Sequence, residues 1–455
     1  MLIRANANLE KIIIFTNGYP PTSIGGVELY TRQIAEGFHE RGKNVIVVCR
    51  ESSKCLEDYS LLHEQINGIE VYRIVNDFKE LKDYNQFYEN KNIDKICLEI
   101  LRKHNPDIAV VNHLIGLSSN IPFILHQNKI PFLYYLHDFW NICDRINLVN
   151  AWSHLCSGPL KNDCYKCLTF GQSVSWKKQK LLYLIKIIFP YSLRKKFGFI
   201  KRIIKTSPHT PDDLITIKNR HTSFYQGSVL SNLLLVPSNF VKEIFVNNGY
   251  PDKLITVLPL GEEENHEIDL QLNYQQLDIK RITFGYIGHI IPIKGLEVLI
   301  RAFRMVDNQN IYLKVFGRDD IDIEYSKKIK LLSNNDKRIY FLGVFNPDNK
   351  NLVYNQIDIL VIPSLAPETF SFVAREALAR KIPIIASDVG VLPELVRHHE
   401  NGYLFARGDF NELANIIRDI AHNPSILFSL NKKENKKMTK SKHIDFLLTI
   451  LESVR

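Results

Sequence analysis

One stretch limits what this chain can fold into more than any other: DILVIPSLAPETFSFVAREALARKIPIIASDVGVLPELV, residues 358–396. The branched apolar run at 359–362 is short, as a strand buried in a parallel sheet is. Pro363-Ser364 ends it, Glu368 follows in a loop, and residues 369–380 can form a helix with Glu376 near its middle. Residues 382–386 are the next strand, and Ser387-Asp388-Val389-Gly390 is its exit loop. The order strand, loop, helix, strand, loop is one repeat of a parallel α/β sheet. It sets two carboxylates at the sheet's carboxyl end, where open α/β folds take their ligands.

The chemistry of that position is specific. An ionised carboxylate accepts hydrogen bonds from neighbouring hydroxyls. A helix N-terminus favours phosphate through its free N–H groups and dipole. Hydroxyls, ribose and phosphate together describe a nucleotide-sugar. The spacing of Glu368 and Glu376 alone also fits two glutamates on a solvated helix face. With its surroundings it says more. The E-x7-E pair, followed by Ser387-Asp388-Val389-Gly390 and Pro393-Glu394-Leu395, resembles the retaining glycosyltransferases of family GT4. The resemblance implies an α/β chain of GT-B fold: two Rossmann-like domains facing a cleft.

Size agrees. A chain of 455 residues with 45% hydrophobic and 24% charged residues suits two globular domains, each with its own core. Residues 1–11 hold Arg4, Asn6, Asn8 and Glu10 rather than an apolar signal core, and no run reaches transmembrane length. The expected compartment is cytoplasmic, where seven cysteines do not call for disulfides.

The first half, 1–261, reads as the N-terminal, acceptor-side domain. Residues 11–15 form a strand, Gly25-Gly26 closes a loop, and residues 27–41 carry helical periodicity before a second strand at 45–48. Glycine lets backbone approach a ligand closely, so Gly25 and Gly26 fit either donor contact or an ordinary tight turn. The GT4 pattern P-x4-GG-x-E resembles Pro20 to Glu28 and implies the former. Further strands are expected at 69–74, 107–111 and 132–136, with helices at 93–104 and 117–127. The last strand delivers His137. At a strand's carboxyl end it can be a general acid/base, a hydrogen-bond partner of a sugar hydroxyl, or a structural residue. Many GT4 members carry a His near the transferred sugar, and the resemblance extends that role to His137.

Residues 141–231 interrupt the pattern as an insert. Cys143, Cys156, Cys164 and Cys167 lie in it, and Cys164-x2-Cys167 has metal-ligand spacing. A structural zinc, free thiols or a redox pair all fit. Residues 176–205 then interleave ten Lys and Arg with aromatics and aliphatics, with no acid between Asp163 and Asp212. Such a segment lies at an anionic bilayer surface or forms a solvated amphipathic cover. It accounts for the net charge of +9 without nucleic acid, for which no motif is present.

A polar linker is expected at 262–280, and residues 281–430 read as the nucleotide-sugar-binding domain. Gly288, in the loop after the strand at 281–287, and Lys294, at the entrance of helix 296–303, suit a diphosphate: glycine admits close backbone and lysine is a compact charge. Two positions depart from the GT4 pattern: His289 where Arg is frequent, and Ser371 where Gly is frequent. Residues 431–455 end in a helix whose apolar stripe, Phe446, Leu447, Ile450 and Leu451, is expected to cross back onto the first domain.

The resemblance implies transfer of a hexose-type sugar from a UDP- or GDP-sugar, with retention and without a catalytic metal. Glu376 would hold ribose hydroxyls and Glu368 the donor sugar's. Lys294 and the helix mouth at Phe370, Ser371 and Phe372 would stabilise the departing diphosphate. The acceptor would be a saccharide or lipid-linked saccharide, used in cell-envelope polysaccharide synthesis at the inner face of the membrane. Another enzyme of the same fold (a nucleotide-sugar epimerase or a phosphorylase), a non-catalytic adaptor at the membrane surface and a zinc-dependent scaffold centred on the cysteines are the other readings.

Overall fold

The structure is a computed structural model that describes residues 9–80, 83, 85–159, 164, 167, 211–262, 281–333, 336–345, 349–430 and 438–455. They divide into two units: Met1–Gly261 with Lys440–Arg455, and Glu262–Thr439. The basic segment 176–205 and nearly all of the expected linker, 263–280, lie outside the described residues.

Unit 1 alternates strands and helices: β1 Lys11–Thr16, α1 Gly26–Glu40, β2 Asn44–Glu51, β3 Leu61–Ile66, β4 Ile69–Val75, α2 Lys91–His104 and β5 Ile108–Val111. It continues with α3 Ile121–Gln127, β6 Phe132–Tyr135, α4 Pro211–Val229, β7 Leu233–Val236, α5 Asn239–Asn247 and β8 Ile255–Val257. The sheet order is β3-β4-β2-β1-β5-β6-β7-β8. Every pair is parallel except β3 with β4. Strand β3 is exposed and polar at its centre, so hydrophobic patterning passes over it. The central strands are buried on both faces, which is why they read as unbroken Ile and Val runs. Helix α4 is the crossover between neighbours β6 and β7. Residues 211–229 of the expected insert are thus part of the sheet's own architecture.

Unit 2 runs β9 Ile282–Ile287, α6 Leu296–Arg304, β10 Ile311–Phe316, α7 Ile323–Leu332, β11 Ile339–Gly343, α8 Lys350–Tyr354 and β12 Ile359–Ile362. Then come α9 Phe372–Ala379, β13 Ile384–Ser387, β14 Gly402–Phe405 and α10 Phe410–His422. Its sheet is wholly parallel, in the order β11-β10-β9-β12-β13-β14. Helix α6 buries Leu296, Leu299, Ile300 and Phe303 in the core. Each such side chain contributes about 1.5–3 kcal/mol by leaving water. In both units the strand order reverses once, between β1 and β5 and between β9 and β12. In open α/β folds such a reversal, at the carboxyl ends of the strands, is where ligands bind.

The last helix, α11 Lys440–Val454, packs in unit 1. Its buried face is His443, Ile444, Leu447, Leu448 and Leu451. The expected stripe was turned by a residue or two: Phe446 is 48% exposed, whereas a histidine is wholly buried. Gly37 on α1 faces Ile444 where a Cβ would sit only 2.8 Å from it, so the two helices need that glycine. His443 is anchored at both nitrogens. Nδ1 lies 2.9 Å from the Pro259 carbonyl, which can only accept, so Nδ1 bears the proton. Nε2 therefore accepts from the Tyr30 hydroxyl at 2.9 Å.

Burial pushes the His443 imidazole down to about 4. Its folded value lies below the unfolded value of about 6.5, so below that pH the unfolded chain binds the extra proton. The stabilisation is complete above pH ~6.5 and declines as pH falls toward 4. We expect denaturant titrations of wild type to lose stability across that window. His443→Gln should show a shallower slope, by up to about 1.4 kcal/mol per pH unit.

Candidate active site

In unit 2 the loops after β9, β12 and β13 meet at the point where the strand order reverses. Backbone hydrogen bonds join them. Leu365 N–H donates to the Ile293 carbonyl at 2.8 Å, and Val391 N–H donates to the Glu368 carbonyl at 2.8 Å. Two glycines make this closeness possible. Gly295 has φ +71 and its missing Cβ would sit 1.8 Å from the Pro363 carbonyl oxygen. Gly390 has φ +67 and would place a Cβ 2.4 Å from the backbone nitrogen of Glu368. Only glycine meets both demands without strain.

The junction brings Lys294 and Glu368 together. Lys294 Nζ donates to Glu368 Oε1 at 2.7 Å, and Ser364 Oγ donates to the same oxygen at 2.7 Å. Glu368 Oε2 has no hydrogen bond among the described residues. Burial alone would raise this carboxyl. The adjacent ammonium and the bonds from Lys294 and Ser364 outweigh it and hold Glu368 below its ordinary value. The result is an anion fixed by one oxygen and open at the other.

Glu376 sits two turns further on, mid-way along α9, with both oxygens engaged. Lys350 Nζ donates to Oε1 at 2.8 Å and the Tyr354 hydroxyl to Oε2 at 2.8 Å. Burial and this carboxylate raise the Tyr354 hydroxyl well above its usual value, so it stays a donor. A carboxylate has about four acceptor sites, so both oxygens retain capacity for a ligand's hydroxyls. Lys350 and Tyr354 were absent from the sequence reading. They come from the five-residue α8, which has no periodicity to detect.

Helix α9 begins later than expected, at Phe372 rather than near residue 369. Ser371 precedes it in the left-handed region, with φ 57 and ψ 76. Phe370 and Phe372 meet edge to face at 4.8 Å, and the Arg375 guanidinium lies 4.1 Å over the Phe370 ring. Gly288 N–H bonds the Phe316 carbonyl at 3.0 Å, holding the start of the Lys294 loop against the β10 exit. His289 is driven toward its neutral form by burial, then by Lys294 and Arg318 nearby.

In unit 1, His137 follows β6. It stacks on Tyr135 at 4.2 Å and meets Tyr30 edge-on at 4.8 Å. Burial, then the neighbouring His113, pushes it down to about 3, so it is neutral near pH 7. Its Nε2 is buried without a partner among the described residues. A neutral imidazole of this kind offers a hydrogen bond rather than a charge. Gly25 is the N-cap of α1, and the space beside it holds Glu28, which accepts from Asn17 Nδ2 at 2.9 Å and Ser23 Oγ at 3.2 Å. Gly26 opens the helix. The approach to this loop is braced by Arg73, only 2% exposed. It donates to the Tyr19 carbonyl at 2.8 Å, the Pro20 carbonyl at 3.1 Å and Thr22 Oγ1 at 2.8 Å, and pairs with Glu51 and Glu64. A lone Arg in a β-strand gives no sequence sign of that role.

The cysteine expectation needs correction. Cys143, Cys156, Cys164 and Cys167 border one cavity of about 310 Å³. Among the described residues, however, no group of three or more His, Cys, Asp or Glu is placed to hold a metal ion. None of the four forms a disulfide; Cys156 Sγ donates to the Gly158 carbonyl at 3.3 Å and Cys167 Sγ accepts from the Ala151 N–H at 3.3 Å. The C-x2-C spacing alone does not gather four thiolates.

Comparison with known proteins gives these loops a context. Residues 269–442 match the family described as Glycosyl transferases group 1, and residues 24–222 match Glycosyltransferase Family 4. The chain is a glycosyltransferase of the family 4 type. Uncharacterized glycosyltransferase MJ1607 of Methanocaldococcus jannaschii is 24% identical over 86% of this chain and 84% of its own length. The capsular polysaccharide biosynthesis glycosyltransferase CapM of Staphylococcus aureus is 23% identical over 49% of this chain and 61% of its own. The lipopolysaccharide 1,2-N-acetylglucosaminetransferase of Salmonella typhimurium is 31% identical over 41% of this chain and 51% of its own. The solved structure of Anabaena Alr3699/HepE in complex with UDP and glucose aligns over 97% of this chain and 95% of its own, with a TM-score of 0.55 and 17% identity. The fold of this glycosyltransferase is GT-B. No helix among its described residues is long and apolar enough to cross a membrane.

Gly390→Ala should displace the Glu368 backbone while leaving Glu376 in place. We expect turnover to fall by about 10²-fold, as for an ångström-scale misplacement, with nucleoside diphosphate affinity nearly unchanged. Steady-state kinetics beside calorimetric titration of the nucleotide checks this.

Proposed function

We propose that this glycosyltransferase moves a hexose-type sugar from a UDP- or GDP-sugar to a saccharide or lipid-linked saccharide, with retention at the anomeric carbon, in cell-envelope polysaccharide synthesis. The observation that carries the reading is the Lys294–Glu368 pair: a carboxylate locked through Oε1, open at Oε2, beside an ammonium at 2.7 Å. Glu368 Oε2 accepts from hydroxyls of the donor sugar. Glu376, oriented by Lys350 and Tyr354, accepts from the ribose hydroxyls. The Lys294 ammonium has three donors, so it can keep Glu368 and reach a phosphate oxygen as well.

Negative charge grows on the diphosphate as the glycosidic bond breaks. Lys294 and the N–H groups at the mouth of α9 oppose that charge more strongly in the transition state than in the bound donor, which is what accelerates the step. Within unit 1, His137 and the Gly25-Gly26 loop are further candidate ligand contacts; the neutral imidazole offers a hydrogen bond to a sugar hydroxyl. CapM and the Salmonella enzyme support the polysaccharide setting by their names, and HepE supports a UDP-sugar by its bound ligand. The basic residues 176–205 suit contact with an anionic bilayer carrying a lipid-linked acceptor. Flotation with anionic and neutral vesicles tests that contact.

A thermal-shift panel of UDP, GDP and ADP with their sugar conjugates should stabilise wild type with one base only. Glu376→Ala should lose most of that shift. Lys294→Ala should lower kcat by ~10²-fold or more. NMR of the product anomer reports retention. An epimerase would instead release free sugar with no acceptor present, and that product would overturn the transfer reading.

A further inference from the structure

Away from the loops that hold the candidate site, helices α3 and α4 of unit 1 flank a polar groove. Its volume is about 380 Å³, within the ~300–1,000 Å³ of small-ligand sites. One wall is a stripe of α4. Asn219, Thr222, Ser223 and Gln226 follow the i, i+3, i+4, i+7 spacing that puts side chains on one helix face. Ser223 is half-buried and the other three are exposed. A solvated helix face usually carries charge. These four positions carry only amides and hydroxyls, each able to donate and to accept.

The other wall is the start of α3. Asn120 precedes the helix, and its Nδ2 donates to Asp94 Oδ2 at 2.8 Å, which fixes the amide and leaves its oxygen as an acceptor. The hydroxyls of Ser119 and Ser223 share a hydrogen bond of 2.9 Å and tie the two walls together. Phe123 supplies a ring. Its neighbours Ile121 and Leu125 lie in the core of unit 1, whereas Phe123 is half-buried and lines the groove. The ring is held against α4 at Gly227, where a Cβ would lie 3.3 Å from it. Glu89 adds one exposed carboxylate.

These groups select a ligand. Among the described residues no Lys, Arg or His lines the groove, and its one charge is negative, so phosphates and other anions are disfavoured. Both walls are helical, so no strand edge is present for a peptide to extend. A saccharide meets every feature. Its hydroxyls donate and accept as the amides and hydroxyls do, and a carboxylate accepts from adjacent ones. The apolar C–H face of a sugar ring packs on an aromatic ring. Helix α3 follows β5, so it begins toward the sheet edge at which His137 leaves the parallel strand β6.

We infer that this groove binds a neutral oligosaccharide, the part of the acceptor that extends beyond the reacting sugar. Its role toward the acceptor rests on the transfer reading above; saccharide binding itself does not.

The test uses the full chain as wild type, as the double variant Asn219→Ala with Gln226→Ala, and as Phe123→Ser. The probes are hexasaccharides of glucose, mannose and N-acetylglucosamine with the matching monosaccharides, read by calorimetry and saturation-transfer NMR. Wild type should bind at least one hexasaccharide, and more tightly than its monosaccharide. Both variants should weaken that binding by about ten-fold, the size of one or two hydrogen bonds. Binding of nucleoside diphosphates should not change. Alanine is the best helix former, so the double variant should melt no lower than wild type, which separates lost contact from lost fold. No hexasaccharide binding, or binding that both variants retain in full, would overturn the inference. Hexasaccharide binding lost in the variants, in a wild type that binds no nucleoside diphosphate, would overturn the transfer reading and leave the groove a saccharide site.

Discussion

The candidate site of unit 2 depends on a backbone approach that side chains do not make. Gly295 lies against the Pro363 carbonyl and Gly390 against the Glu368 backbone, both with positive φ. These contacts draw three loops from adjacent strands into one surface. The Lys294–Glu368 pair is then formed at 2.7 Å between residues 74 positions apart. An ion pair of two flexible side chains on separate loops would contribute little and define no geometry. Here the loops are fixed first, and the pair inherits their precision. Ser364 on the same oxygen finishes the orientation and leaves Oε2 to a ligand.

The two units solve the same topological problem with opposite electrostatics. Each reverses strand order once and places its chemistry near that reversal. In unit 2 that place holds an ionised carboxylate paired with an ammonium. In unit 1 His137 is packed between aromatic rings and stays neutral.

Local chemistry was legible in the sequence, and distant partnership was not. The repeat at 358–396 could be read because strand, turn and helix signals lie within one span and the two glutamates sit inside it. Helix α9 still starts three residues late, since Ser371 adopts a backbone that propensity does not anticipate. Lys350 and Tyr354 reach Glu376 from a helix too short to show a period. The face of α11 was misjudged because His443 reads as polar, and its burial is made acceptable by Tyr30 and the Pro259 carbonyl, 413 and 184 residues away. Arg73 is hidden for the same reason. The cysteines mislead in the opposite sense: their spacing is local and suggestive, while their positions border a cavity without converging.

Helix α11 has a consequence for how the molecule is made. Unit 1 takes its last element from residues 440–455, beyond the whole of unit 2. During synthesis at about 5–20 residues per second, domains fold as their chain emerges. Unit 2 is therefore delivered complete while unit 1 still shows the ribosome a bare surface around Tyr30 and Gly37. For that interval unit 1 is an apolar face looking for a helix. Chaperone capture of nascent chains should concentrate there until α11 closes it.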